Sequence, residues 1–126
     1  MIAAIDHVVL TTGDEAKCLE FYVGVLGMEL ERYAQGRIAL RFGNQKINVH
    51  QPGVIVGLKA AQPTPGSLDL CFVASVPLAA VVERLRRHGV PIVAGPVERT
   101  GGLGRIRSVY VRDPDANLVE IAEPVR

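Results

Sequence analysis

Apolar and polar residues alternate along most of the chain, and this period-two texture gives way twice to a spacing of three and four. The run Asp6 to Leu10 predicts a strand, and Leu19, Tyr22, Val23 and Leu26 then recur at i, i+3, i+4 and i+7, the stripe of an amphipathic helix. Thr12-Gly13-Asp14-Glu15 has the form of a capping box before that helix, and Gly27 supplies its stop. Three strands are expected next, at Met28 to Tyr33, Arg37 to Phe42 and Gln45 to His50, punctuated near Gly36 and Gly43. A stretch rich in proline and glycine follows from Gln51 to Gly66. The plan then starts again: a strand from Leu68 to Phe72, Ser75 as helix cap, a stripe of Leu78, Val81, Val82 and Leu85, and a stop at Gly89. Strands are expected at Ile92 to Val97, Arg105 to Arg112 and Asn117 to Ala122, with turns at Thr100 to Gly104 and at Asp113-Pro114-Asp115.

The order β-α-β-β-β therefore occurs twice and predicts an α+β fold, with helices on one face of mixed sheets. A single domain over 1–126 is expected, with module 1 over about 1–51, a linker over about 52–66 and module 2 over about 67–126. Strand alternation assigns faces. Val8, Leu10, Leu70 and Phe72 point toward the helices and send His7 and Asp69 the other way. Ile47, Val49, Val119 and Ile121 do the same for His50 and Glu120. Read this way, His7 is answered by Asp69 and His50 by Glu120, and two imidazoles and two carboxylates share one face.

Composition narrows the functional classes. At 126 residues, 48% apolar and 21% charged, the chain has the profile of a globular domain, and no apolar run approaches the roughly 20 residues that span a bilayer. No membrane partner is expected. The N-terminus has no signal-peptide pattern, so a cytoplasmic location is expected. A formal charge of +1 gives no reason to expect nucleic acid. Arg84, Arg86, Arg87 and His88 suit the last turn of a helix, where cations meet the dipole. Cys18 and Cys71 read as small buried hydrophobes, and Gly101 to Gly104 lacks the context of a phosphate cradle.

The passages IDHVVLTT, CLEFYVGVLGMEL, PGSLDLCF and VYVRDPDANLVEI closely resemble the vicinal oxygen chelate superfamily, which contains glyoxalase I, extradiol dioxygenases, fosfomycin-resistance enzymes and bleomycin-resistance proteins. Within it, FGNQKINVH and GPVERTGGLGRIRSVYVRDPDANLVEI look most like the group of glyoxalase domain-containing protein 5. The resemblance implies paired βαβββ modules forming a cup-shaped sheet, the glyoxalase/dioxygenase fold. It makes His7, His50 and Glu120 candidate ligands of a divalent metal ion. At Asp69, where relatives often carry His, it leaves open ligation, a supporting hydrogen bond or a salt bridge.

Nitrogen and oxygen donors of this kind suit Zn, Ni, Co, Mn or Fe. An octahedral ion held by His7, His50 and Glu120 keeps three open positions, as ring-cleaving dioxygenases require. Ligation by Asp69 leaves two, as in glyoxalase-type sites, where a carboxylate near the metal also moves a proton between adjacent carbons. The reading favoured is a metal-dependent lyase or isomerase of the glyoxalase type, acting on a small-molecule substrate with two neighbouring oxygens. Glu120 is the candidate proton shuttle, Asp69 the alternative, and Tyr110 a candidate hydrogen-bond donor to substrate. An extradiol-type dioxygenase is the alternative enzyme, and a metal-free antibiotic-binding protein the alternative outside catalysis. By resemblance, a homodimer is expected.

Overall fold

The structure is a computed structural model that describes residues 1–53 and 57–126; the linker expected over 52–66 thus includes Val54, Ile55 and Val56, which lie outside the described residues. The chain forms two compact units, Met1–Ser67 and Leu68–Arg126. Unit 1 contains β1 (His7–Thr11), α1 (Glu15–Leu19) running on into a π-helical turn (Glu20–Val25), β2 (Glu29–Tyr33), β3 (Arg37–Phe42) and β4 (Gln45–His50). Unit 2 contains β5 (Asp69–Val73), α2 (Leu78–Arg87), β6 (Ala94–Gly101), β7 (Gly104–Arg112) and β8 (Leu118–Pro124). The sheets are ordered β1-β4-β3-β2 and β5-β8-β7-β6. In each, the first strand is parallel to the last and the remaining pairs are antiparallel. This is the α+β plan expected from the periodicity, stated twice. Among the described residues no helix is long and apolar enough to cross a membrane.

The cores follow alternation. Leu10, Ile38, Leu40, Ile47 and Val49 are buried on the helix side of the first sheet, and Val109, Val111, Val119 and Ile121 on that of the second. Each such side chain stabilises the fold by about 1.5–3 kcal/mol on leaving water. In unit 2 the expected stripe holds, with Leu78 and Leu85 buried and Val81 and Val82 half-buried. In unit 1 the buried stripe is instead Cys18, Phe21, Tyr22 and Val25, one residue earlier than expected. The segment is apolar along both stripes, so periodicity cannot choose between them. Packing chooses Phe21, whose ring meets Tyr22 edge-on at 4.9 Å, and the helix widens so that Leu26 N–H donates to Phe21 C=O.

Both helix starts differ from expectation. Asp14, rather than Thr12, caps α1, its Oδ1 accepting from Lys17 N–H at 3.0 Å. Glu15 turns away and accepts from Gln51 Nε2 at 2.7 Å. Ser75 lies too early to cap α2, which begins after Pro77 with no cap of its own. Glu123 on β8 takes that role, its Oε2 accepting from Leu78 N–H at 2.8 Å. Cys18 is buried as expected, but Cys71 is exposed, because β5 turns it to the face opposite the helix.

Candidate functional site

Strand register converts the face away from each helix into rows. In unit 1 the β1–β4 pairing sets His7 beside Lys46, Val9 beside Asn48 and Thr11 beside His50. On β3, Arg41 lies across from Lys46 and Ala39 across from Asn48, with Arg37 next along the same face. Glu29, Glu31 and Tyr33 of β2 close the three rows. In unit 2 the β5–β8 pairing sets Asp69 beside Leu118, Cys71 beside Glu120 and Val73 beside Ala122. Arg112, Tyr110 and Ser108 of β7 stand across from those three β8 residues.

Matching the rows shows what corresponds to what. His7 and Asp69 hold the same place, as the sequence suggests. The residue matching Glu120 is Asn48, whereas His50 matches Ala122. The pairing of His50 with Glu120 is thus corrected by two residues along the strand. The correction matters because His7 and His50 stand at opposite ends of the β1–β4 pair, four residues apart. At about 3.3 Å per residue that is ~13 Å along the strands between the two backbones. Among the described residues, no three His, Cys, Asp or Glu side chains converge as a metal cluster.

Asn48 is the residue that sequence reasoning missed. Among the described residues its Oδ1 is the buried side-chain oxygen left without a hydrogen-bond partner. Such an acceptor costs about 1–3 kcal/mol, which a cation placed against it would offset. The available signal was its alternation: Asn48 faces the same way as His50 on a strand whose other face is apolar. Next to it in the diagonal sense, His7 places Nδ1 2.8 Å from Asp6 Oδ1. A proton on Nδ1 in that contact leaves the Nε2 lone pair available, the arrangement that carboxylate partners impose on metal-binding histidines. The same contact lowers the Asp6 pKa, first through the hydrogen bond and then through charge.

Unit 2 holds its pair more firmly. Ser108, fully buried, donates its hydroxyl to Glu120 Oε2 at 2.6 Å. Tyr110, across from Glu120, accepts at its hydroxyl from Arg99 Nε at 3.1 Å, with the guanidinium 5.6 Å from the ring centroid. Cys71 lies beside Glu120, and its thiol pKa is pushed up to about 11, chiefly by desolvation and then by the Glu120 carboxylate. With no cation beside it among the described residues, the thiol thus stays protonated at neutral pH despite its exposure.

The Asp-Pro-Asp turn sets this geometry. Asp113 Oδ1 accepts from the N–H groups of Asp115 and Asn117, both at 2.9 Å, and Oδ2 accepts from Asn117 Nδ2 at 2.7 Å. Asn117 Oδ1 in turn accepts from Leu68 N–H at 2.8 Å, and Leu118 N–H donates to Leu68 C=O at 3.0 Å. Those bonds tie the start of β5 to the start of β8 and fix Asp69 relative to Glu120.

The rows can be set against known proteins. The chain is 50% identical over 125 residues to virulence protein STM3117 of Salmonella typhimurium, covering 99% of this chain and 87% of that protein. Its crystal structure superposes with a TM-score of 0.96, covering 99% of each chain. Glyoxalase domain-containing protein RDO1 of Mycosarcoma maydis is 49% identical over 121 residues, 96% of this chain and 68% of that protein. At 23% identity, lactoylglutathione lyase from Agrobacterium tumefaciens shares the fold with a TM-score of 0.75, covering 98% and 95% of the two chains. The family model of this fold matches residues 4–121, and the chain belongs to the Glyoxalase/Bleomycin resistance protein/Dioxygenase superfamily.

Proposed function

We propose that this chain is a divalent-metal-dependent enzyme of the glyoxalase type, a lyase or isomerase whose small-molecule substrate offers two neighbouring oxygens. The observation that carries this reading is the duplicated donor pair, His7 with Asn48 and Asp69 with Glu120, one member of which is a buried oxygen with no partner. Each pair offers two donors, and the donor atoms are imidazole nitrogen, amide oxygen and carboxylate oxygen. That set fits Zn, Ni, Co, Mn or Fe. His50, four residues along the strands from His7, is left out of the ligand set proposed here. A bound ion supplies Lewis-acid charge that polarises the two substrate oxygens.

The chain's own residues do the rest. Ser108 holds one Glu120 oxygen and leaves the other to take a proton from one substrate carbon and return it to the next. Asp69 is the alternative shuttle. Arg99 donates to the Tyr110 oxygen, which leaves the phenolic proton for a substrate oxygen. A homodimer is part of the same reading, by likeness to the superfamily.

Metal analysis of protein purified without chelator tests the site. Stoichiometric metal is expected, lost in His7→Ala and Glu120→Ala, reduced in Asn48→Ala and retained in His50→Ala. Metal-free protein, or no loss in those variants, overturns the reading. For the reaction, hemithioacetal isomerisation with Ni²⁺ or Zn²⁺ is expected. Ring opening of catechol with Fe²⁺ and oxygen uptake in its place would assign the dioxygenase alternative instead.

A further inference from the structure

The row that begins with Thr11 is polar in unit 1 for no reason the scaffold provides. Thr11, His50, Arg37 and Tyr33 fill it, whereas the matching places in unit 2 hold Val73, Ala122, Ser108 and Val97, with Ser108 committed to Glu120. Valine and alanine satisfy the same sheet geometry, so the fold does not require these donors. Charge sharpens the contrast. Of the cations on this face, Arg41 is ion-paired with Glu31, and Lys46 sits 5.1 Å over the Tyr33 ring. The Arg37 side chain has no hydrogen bond, ion pair or ring contact among the described residues, and it lies on the row of His50, one step beyond the Ile38–Val49 pair. Two groups that can hold an anion between them are set side by side, and among the described residues no carboxylate is bonded to either.

We propose that Arg37, His50 and Thr11 form a carboxylate-recognition subsite, so that the substrate is a small organic acid. The assignment rests on the metal-site reading only for what lies next to it. Asn48 is two residues from His50 along β4, so the carboxylate binds about 7 Å from the metal-chelating oxygens, the length of a short aliphatic acid. Arg37 supplies a two-pronged fork of N–H donors matched to a carboxylate, His50 an imidazole N–H and Thr11 a hydroxyl.

The test uses full-length protein stripped of metal, so that it does not depend on the metal site. The His50 imidazole signals, assigned with His50→Gln, are followed by NMR during titration with 2-oxoglutarate, whose second carboxylate lies a short chain away from its two neighbouring oxygens, its uncharged dimethyl ester and inorganic phosphate. Saturable shifts are expected with the acid and none with the ester. Arg37→Ala should weaken acid binding at least tenfold without lowering the melting temperature, and Arg37→Lys should restore part of it. In the metal-free protein Asn48→Ala should leave acid binding unchanged, whatever it does to metal content in the metal analysis, which separates failure of this subsite from failure of the metal reading. Equal binding of acid and ester, phosphate binding as tight as the acid's, or an unchanged affinity in Arg37→Ala would each overturn the proposal.

Discussion

Row for row, the two units present the same backbone and opposite chemistry. The donor pair of unit 1 is an imidazole and a neutral amide, beside a row of cation, imidazole and hydroxyl. The donor pair of unit 2 is two carboxylates, beside a row of small and apolar side chains. A duplicated frame needs only its helix-side residues to fold, which leaves the other face free to diverge. Here one copy presents two carboxylates on that face, and the other an arginine, an imidazole and a hydroxyl.

The comparison can be broken most severely at Gly95, which has φ +93° and lies in a bulge of β6 between Ala94 and Val97. A Cβ there would collide with the Ser108 carbonyl and approach Val109 Cα at 3.1 Å. Gly95→Ala should therefore cost about 2–5 kcal/mol in denaturant unfolding. Unit 1 has a regular β2 in that place, and Arg32→Ala on it should cost about 0.5 kcal/mol or less. Equal losses would show that the bulge is incidental.

Cys71 provides the next contrast, because it is exposed beside a carboxylate. With its pKa raised from 9.0 to about 11, the thiolate at pH 8 is roughly 100-fold scarcer than for an ordinary cysteine. Iodoacetamide labelling should be slow by that factor and rise about tenfold per pH unit up to about pH 11. Glu120→Gln should speed it, though desolvation leaves most of the delay in place. Rapid labelling at pH 8 would contradict the carboxylate-facing thiol.

Ser108 tests the asymmetry of the donor pairs, since it orients Glu120 and nothing comparable holds Asn48. Ser108→Ala should weaken metal binding by about 10–100-fold while leaving the fold intact. Asn48→Asp, which makes the unit 1 pair resemble that of unit 2, should strengthen it, as metal titration would reveal. The smallest expected effect concerns the helices. Asp14→Ala and Glu123→Ala should each cost about 1 kcal/mol of thermal stability, the first by removing a local cap and the second a cap supplied from β8. A much smaller loss for Glu123→Ala would mean that α2 needs no cap.

Much of this was legible in the sequence. Strands at Arg37 to Phe42 and Gln45 to His50 lie where alternation and glycine turns put them, because each has one apolar face and an unambiguous stop. The stripe of α2 was legible for the same reason. The stripe of α1 was not, because its sequence is apolar on two adjacent stripes and only the packing of Phe21 separates them. The cap of α2 was not legible either, since Glu123 is far from Leu78 in the chain.

Alternation determined, from the residues alone, that His7, His50, Asp69 and Glu120 all face away from the helices. A slip of one residue would have turned every side chain over and exposed the apolar set, so the face is fixed by the hydrophobic effect. A slip of two turns nothing over, and the hydrophobic pattern is blind to it. Only the hydrogen-bonded register of β1 with β4 and of β5 with β8 could decide that Asn48, and not His50, stands where Glu120 stands. The sequence by itself thus settled which way the chemistry points, and tertiary pairing settled which side chains meet.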